Sequence, residues 1–254
     1  MKLRLLGCGT SSGVPRIGND WGECDPADPR NRRRRASILV ESTTTRILVD
    51  TSPDLREQLL AADVAAVDGV IWTHDHADHC HGIDDLRQLY HARGRPVEGY
   101  ARAETLETLR LRFAYAFEGR DGYPPVVTGN LLHDDFMIGD IRVQVVDQPH
   151  GSITSAGLRF TQGVKSIGYS TDFNYFTQDM RNHFKGLDLW VVDALRRRPH
   201  PTHPHLAQTL EWIAELTPRH AVLTHMDQSM DYAVLAAELP RGVEPGLDGL
   251  EIDL

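Results

Sequence analysis

One segment constrains this chain more than any other: Thr73-His74-Asp75-His76-Ala77-Asp78-His79 follows directly on the apolar run Val70-Ile71-Trp72. In an extended or turning backbone, side chains two apart share a face, so His74 and His76 point the same way. Asp78 and His79 then open a following turn and face a second centre, at the separation of about 3.5–4 Å usual in two-metal hydrolases. Imidazole nitrogen and carboxylate oxygen suit zinc or manganese, with iron a further candidate. The only thiol within reach is that of Cys80.

Three more polar residues stand at the ends of apolar runs. Ser166–Ser170 leads to Asp172, Ala221–Thr224 leads to His225, and Val143–Val146 stops shortly before His150. Open α/β sheets place their sites beyond the carboxyl ends of buried strands. Four separate strands that each deliver a metal-type side chain therefore predict one convergent centre.

Strands are expected at Leu3–Leu6, Ser37–Val40, Ile47–Val49, Val70–Thr73, Ile141–Val146, Ser166–Tyr169, Leu189–Val192 and Ala221–Thr224. Helical periodicity covers Pro53–Ala61, Asp84–His91, Glu104–Ala114, His205–Leu216 and Tyr232–Leu239. Strands that alternate with helices make an α/β layered domain, and 254 residues suit a single domain, 1–254.

A net charge of −9 disfavours long nucleic acid, which wants a broad basic face; the one basic cluster is Arg30–Arg35. Three widely spaced cysteines give no disulfide framework and fit a reducing compartment. The first residues form no signal peptide, and no stretch approaches the roughly 20 apolar residues of a membrane span. A cytoplasmic protein that engages no membrane is expected, with a homodimer left open.

Residues 74–79 match the HxHxDH motif of metallo-β-lactamase-fold hydrolases, and the later elements follow in that family's order. Gln148-Pro149-His150-Gly151 is similar to the third-histidine motif, Tyr169-Ser170-Thr171-Asp172 to the strand ending in a bridging aspartate, and Leu223-Thr224-His225-Met226 to the final histidine motif. The opening Leu6-Gly7-Cys8-Gly9-Thr10-Ser11-Ser12-Gly13-Val14-Pro15, followed by Asn31 and Arg32–Arg35, resembles the PhnP-like phosphodiesterase branch, to which ribonuclease Z is a more distant relative. The resemblance implies an αβ/βα four-layer sandwich with two central mixed β-sheets. It implies two divalent metal ions, one on His74, His76 and His150, the other on Asp78, His79 and His225, with Asp172 and a hydroxide bridging them. It also implies a small nucleotide-like or cyclic phosphate ester as substrate. PhnP-type proteins carry a separate structural zinc in a CxCxxC cluster joined by a later histidine. The corresponding positions here are Asn19, Trp21, Cys24 and Gln228, so that site is expected to be absent.

Two divalent cations lower the pKa of a shared water, which supplies a nucleophile near neutral pH, and Asp78 can orient it as well as bind metal. A leaving alkoxide needs a proton. His203, in the proline-rich Pro199–Pro204 and 22 residues before His225, is the candidate by its match to the PhnP-like acid; His205 is the alternative, or a helix cap. Gly7–Gly13 would either cradle a phosphate with backbone N–H groups or simply turn the chain. The Arg30–Arg35 run would either pair with phosphate or lie solvated before the next strand. Cys80 reads as a small buried residue and His81 as structural or supporting. The aromatic segment Phe113–Val127 reads as an insertion that stacks on a base or covers the cleft, or else makes a satellite core or dimer contact. Alternatives to the phosphodiesterase are a thioester hydrolase of glyoxalase II type and a catalytically silent metal-binding module.

Overall fold

Each expected apolar run becomes a strand in the computed structural model, which describes Met1–Leu254. The first sheet holds β1 (Lys2–Gly7), β2 (Ser37–Glu41), β3 (Arg46–Val49), β4 (Gly69–Ile71), β5 (Val97–Ala101) and β6 (Val127–Leu131). The second holds β7 (Asp135–Ile138), β8 (Ile141–His150), β9 (Ile153–Gln162), β10 (Lys165–Ser170), β11 (Leu189–Asp193), β12 (His220–Thr224) and β13 (Val243–Pro245). The short β14 (Glu251–Asp253) returns to the first sheet beside β1. The orders are β14-β1-β2-β3-β4-β5-β6 and β13-β12-β11-β10-β9-β8-β7, seven strands each. Strands β3 to β6 run parallel, as do β10 to β13, while the other neighbours are antiparallel.

Parallel neighbours need crossovers, and the helices supply them. In chain order they are α1 (Leu55–Ala62), α2 (Ala77–Cys80), α3 (Leu86–Arg93), α4 (Ala103–Arg112), α5 (Ala114–Glu118), α6 (Gln178–Phe184), α7 (Leu206–Leu216) and α8 (Tyr232–Glu238). Between the sheets lie Leu3, Leu5, Ile38 and Val40 with Val143, Phe160, Tyr169 and Val191. Leu39, Leu48, Val70 and Trp72 point the other way, onto Leu55, Leu86 and Leu106 of the helices. Period-two alternation thus sends Ile38 and Val40 into one core and Leu39 into another. Because both faces are covered, β2 and β11 are buried at all five positions, which is why their sequences show no polar alternation. The result is the αβ/βα sandwich of two mixed sheets. No helix is long and apolar enough to cross a membrane.

Three differences from the sequence-based expectations have physical causes. Strand β8 runs on to His150, past the expected end at Val146, because Asp147-Gln148-Pro149 interrupts the apolar pattern while still pairing with β9. Asp78 and His79 lie on a four-residue helix, α2. His205 is the N-cap residue of α7, its backbone N–H donating to Gln208 Oε1 at 3.4 Å and its Nδ1 lying 2.7 Å from the same oxygen.

The segment after α4 has a clear packing role. Phe117 meets Trp72 (ring centroids 6.3 Å apart), Phe113 meets His81 edge-on (5.7 Å), and Phe113, Tyr115 and Phe117 pack against the outer core. Satellite-core packing therefore accounts for these three, whereas Tyr123 is exposed.

Candidate metal centre

All the strands that carry the predicted residues end at one edge of the sandwich. The chain leaves two of them through a left-handed residue, Asp172 after β10 (φ 55°) and His225 after β12 (φ 58°), and leaves β3, the neighbour of β4, in the same way through Asp50 (φ 63°). Such a conformation costs a non-glycine residue about 1–3 kcal/mol and persists only where surrounding contacts over-determine it.

The seven side chains converge. Asp172 Oδ2 lies 3.7 Å from His74 Nε2 and 3.5 Å from His150 Nε2, and His150 Nε2 is 3.3 Å from His76 Nδ1. Asp172 Oδ1 faces the other way, 3.2 Å from His79 Nε2 and 3.4 Å from His225 Nε2. Asp78 Oδ2 is 3.4 Å from His79 Nε2 and 3.5 Å from His225 Nε2. One carboxylate thus turns one oxygen to each of two groups, His74/His76/His150 and Asp78/His79/His225, each with ligand atoms close enough to hold one ion. A third grouping adds Asp193 and His203 to Asp172 and His225.

The donor chemistry fits divalent metal. His74 Nε2, His79 Nε2 and His225 Nε2 are buried without a hydrogen-bond partner, an arrangement that needs an explanation. Burial opposes charge on Asp172, yet His225, His79 and His203 around it hold its carboxyl well below the ordinary range. Burial likewise opposes charge on His225, but Asp172 and Asp78 push its imidazole up to about 9. His79 is raised against burial by Asp172, Asp78 and Asp50. The carboxylates thus favour protons on His79 and His225, while burial pushes His74 and His150 down; cations would supply the positive charge that the carboxylates call for.

For His74, His79, His150 and His203, outer contacts set which ring nitrogen faces inward. Asp50 Oδ2 sits 2.7 Å from His79 Nδ1 and accepts from Thr73 Oγ1 at 2.9 Å, while Thr73 Oγ1 is 3.0 Å from His74 Nδ1. Asp50 therefore orients His79 directly and His74 through Thr73. His150 Nδ1 meets the Thr202 carbonyl oxygen at 3.0 Å. His203 Nδ1 lies 2.9 Å from Asp193 Oδ2, and its Nε2 faces Asp172 Oδ2 at 3.7 Å. The same Asp193 oxygen accepts from the Asp172 backbone N–H at 2.9 Å.

Asp50 and Asp193 are not picked out by sequence reasoning, although the rule used for Asp172 and His225 applies to them: Asp50 follows β3 and Asp193 closes β11. Their absence from any dense histidine motif hides them.

The remaining candidates find other partners. Backbone N–H groups of Gly9, Thr10, Gly13 and Val14 go to the carbonyl oxygens of Arg34, Met226, Thr10 and Arg33, so the glycine-rich turn laces the chain together. Arg30 pairs with Asp28 and stacks on Tyr232, Arg32 lies over Trp21, and Arg35 pairs with Asp54. Arg33 is buried, with Nη1 3.7 Å from Cys24 Sγ. A guanidinium against the only thiol of that cluster does not fit a tetrahedral zinc site. Cys80 is buried, its thiol 3.4 Å from the Asp75 carbonyl oxygen. A cleft of about 440 Å³, lined in part by Asp75, Arg102, Thr105, Asp147 and Thr154, adjoins the His74–His76 loop.

A family model described as a Beta-lactamase superfamily domain matches residues 45–226. The octanoyltransferase of Porphyromonas gingivalis is 32% identical over 261 residues, covering 99% of this chain and 51% of that protein. The chain thus spans about half the length of this curated relative. The crystal structure of a new diphosphatase from the PhnP family has a TM-score of 0.91 and 33% identity, covering 100% of this chain and 97% of that one. Zinc-bound PqqB from Methylobacterium extorquens has a TM-score of 0.79 at 19% identity over the whole of both chains, a likeness of fold alone.

Proposed function

This chain belongs to the metallo-β-lactamase superfamily, in its PhnP-like branch, and from that footing we propose that it is a phosphodiesterase acting on small nucleotide-like or cyclic phosphate esters through two divalent metal ions. The observation that carries the reading is Asp172, whose two oxygens face two separate sets of imidazole and carboxylate donors. His74, His76 and His150 would hold one ion, and Asp78, His79 and His225 the other, with Asp172 shared. Two such ions would make water acidic enough to ionise near neutral pH and would neutralise charge on a phosphoryl group.

The chain's own residues do the rest. Asp78 Oδ2, between His79 and His225, is placed to orient a nucleophilic water as a hydrogen-bond acceptor. His203 donates its Nδ1 proton to Asp193 and keeps Nε2 toward the cluster, so the proton on Nε2 is the one given to the leaving oxygen. Asp193 stabilises the imidazolium that must exist before that transfer. The chain's −9 charge speaks against long nucleic acid as partner.

The name of the Porphyromonas relative raises acyl chemistry, but a covalent acyl carrier needs an accessible nucleophile. Cys8, Cys24 and Cys80 are all buried, and Lys2, Lys165 and Lys185 lie outside the cluster. The acyl alternative is therefore hydrolysis, with a thioester as its substrate. Metal-loaded protein should turn over bis(p-nitrophenyl) phosphate and leave S-lactoylglutathione untouched. The reverse preference would make it a thioester hydrolase, and inertness toward both would favour a silent metal-binding module.

A further inference from the structure

His225 is held in a left-handed conformation at the exit of β12, and the connector from Met226 onward forms no helix or strand until α8 begins at Tyr232. Most of the carbonyl oxygens of that connector are taken by the N-terminal segment. Met226 O accepts from Thr10 N at 3.2 Å and Gln228 O from Glu23 N at 2.9 Å. Asp227 O accepts from Arg33 Nη1 at 3.2 Å and Met230 O from Arg33 Nη2 at 2.5 Å. Arg33 alone grips the connector at two points. It is 2% exposed, its bonds run to carbonyl oxygens and the Cys24 thiol, and its Nε is buried without a partner. A buried guanidinium that lacks a carboxylate partner is costly, and so calls for a reason to be there.

We infer that Arg33 is a positioning residue for His225: its planar fork staples the 226–230 connector to the N-terminal segment and so holds the His225 imidazole in place for the second metal ion. The inference rests on the reading of His225 as a ligand of that ion. The geometry suits arginine in particular, because two N–H groups in one plane reach two carbonyl oxygens at once, whereas an ammonium is a single point. The neighbouring bonds agree in direction. Met226 N donates to Cys8 O and Asp227 N to Leu195 O, so the connector is held from the N-terminal loop on one side and the segment just past β11 on the other. Removal of Arg33 frees two of these anchors while leaving β12 and all seven ligands intact, and the left-handed turn at His225 can then relax toward ordinary backbone angles.

The test uses the full chain with Arg33→Met and Arg33→Lys. Amide hydrogen exchange of chelator-treated protein reads the staple without metal. In both variants the amides of Met226 to Met230 should exchange at least about tenfold faster, with those of β12 and β2 unchanged. Zinc titration against a competing chelator reads the consequence. One equivalent should keep wild-type affinity and the other weaken by about 10–100-fold, the size of effect usual for a residue that supports a ligand. Unchanged exchange together with two wild-type equivalents would overturn the inference. So would equal weakening of both equivalents, or failure of both variants to fold, since Arg33 would then be a general structural residue. If only the methionine variant fails to fold, Arg33→Lys decides by the same two readouts. A wild-type protein that saturates at one equivalent would instead refute the dinuclear reading, and the exchange arm alone would then decide on the staple.

Discussion

His203 Nδ1 lies 2.9 Å from Asp193 Oδ2, and the same carboxylate oxygen accepts the backbone N–H of Asp172 at 2.9 Å. One residue at the end of β11 thus positions both the proposed acid and the backbone of the residue shared by the two donor sets.

Loss of the acid should be felt in proportion to the leaving group's need for a proton. His203→Ala should keep both metal equivalents and lower kcat by roughly 10²–10⁴-fold for alkyl phosphodiesters. With p-nitrophenolate as leaving group the loss should shrink. Asp193→Asn should follow the same pattern more mildly, because the amide oxygen still accepts from Nδ1 but no longer balances the imidazolium. Equal slowing of both substrate types by His203→Ala, or a leaving-group dependence that appears in His205→Ala instead, would reject this assignment.

Metal content gives a direct count. Elemental analysis after mild loading should find two equivalents per chain and none attached to Cys24, where the Arg33 guanidinium lies. Ligand linkage then predicts that free metal at 100 times its dissociation constant stabilises the fold by about 2.7 kcal/mol per site. A melting temperature indifferent to chelation would contradict both the count and the site.

Asp50 supports each donor set through a different contact, and Asp50→Asn should expose the difference. The lost charge faces His79 directly at 2.7 Å, while His74 is reached only through the Thr73 hydroxyl. Competition titration should therefore show the ion assigned to His79 weakened by about 10–100-fold, and the other by less. An equal loss at both would mean that the mutation damages the end of β4 as a whole.

Acid sensitivity should come partly from a residue remote from the centre. Burial, with the Arg159 guanidinium nearby, lowers the His183 imidazole to about 4, against about 6.5 in an unfolded chain. Between those values the unfolded chain binds a proton that the folded one refuses. The stability contributed by neutral His183 is therefore complete above pH 6.5 and is lost as pH falls toward 4, to the extent of about 2–3 kcal/mol. Urea denaturation of metal-free wild type and His183→Gln across pH 4–8 should show the wild type losing that much more than the variant. Parallel curves would remove His183 from the account.

Much of this was legible in order along the chain. The run Val70-Ile71-Trp72 before His74 and Asp78/His79 on a short turn, with Asp172 and His225 after apolar strands, are local patterns, and local patterns survive in a sequence. They carried the layered α/β fold and the ligand candidates. Strand β9 was not legible, because Ile153–Gln162 owes its burial to β8 and β10 on either side rather than to its own alternation.

The sequence by itself determined the inventory: which side chains bear metal-binding chemistry, and that each stands at a strand end. The tertiary structure alone decided who supports them. Asp50 meets His79 across 29 residues, and Arg33 reaches Asp227 and Met230 across 194 and 197. The run Arg30–Arg35 looks uniform as letters, yet it divides into a surface pair with Asp28, a stack on Trp21 and a buried staple. A residue's type fixes what bonds it can make. Which of them it makes depends on partners that only the closed sandwich brings within about 3 Å, the reach of a hydrogen bond.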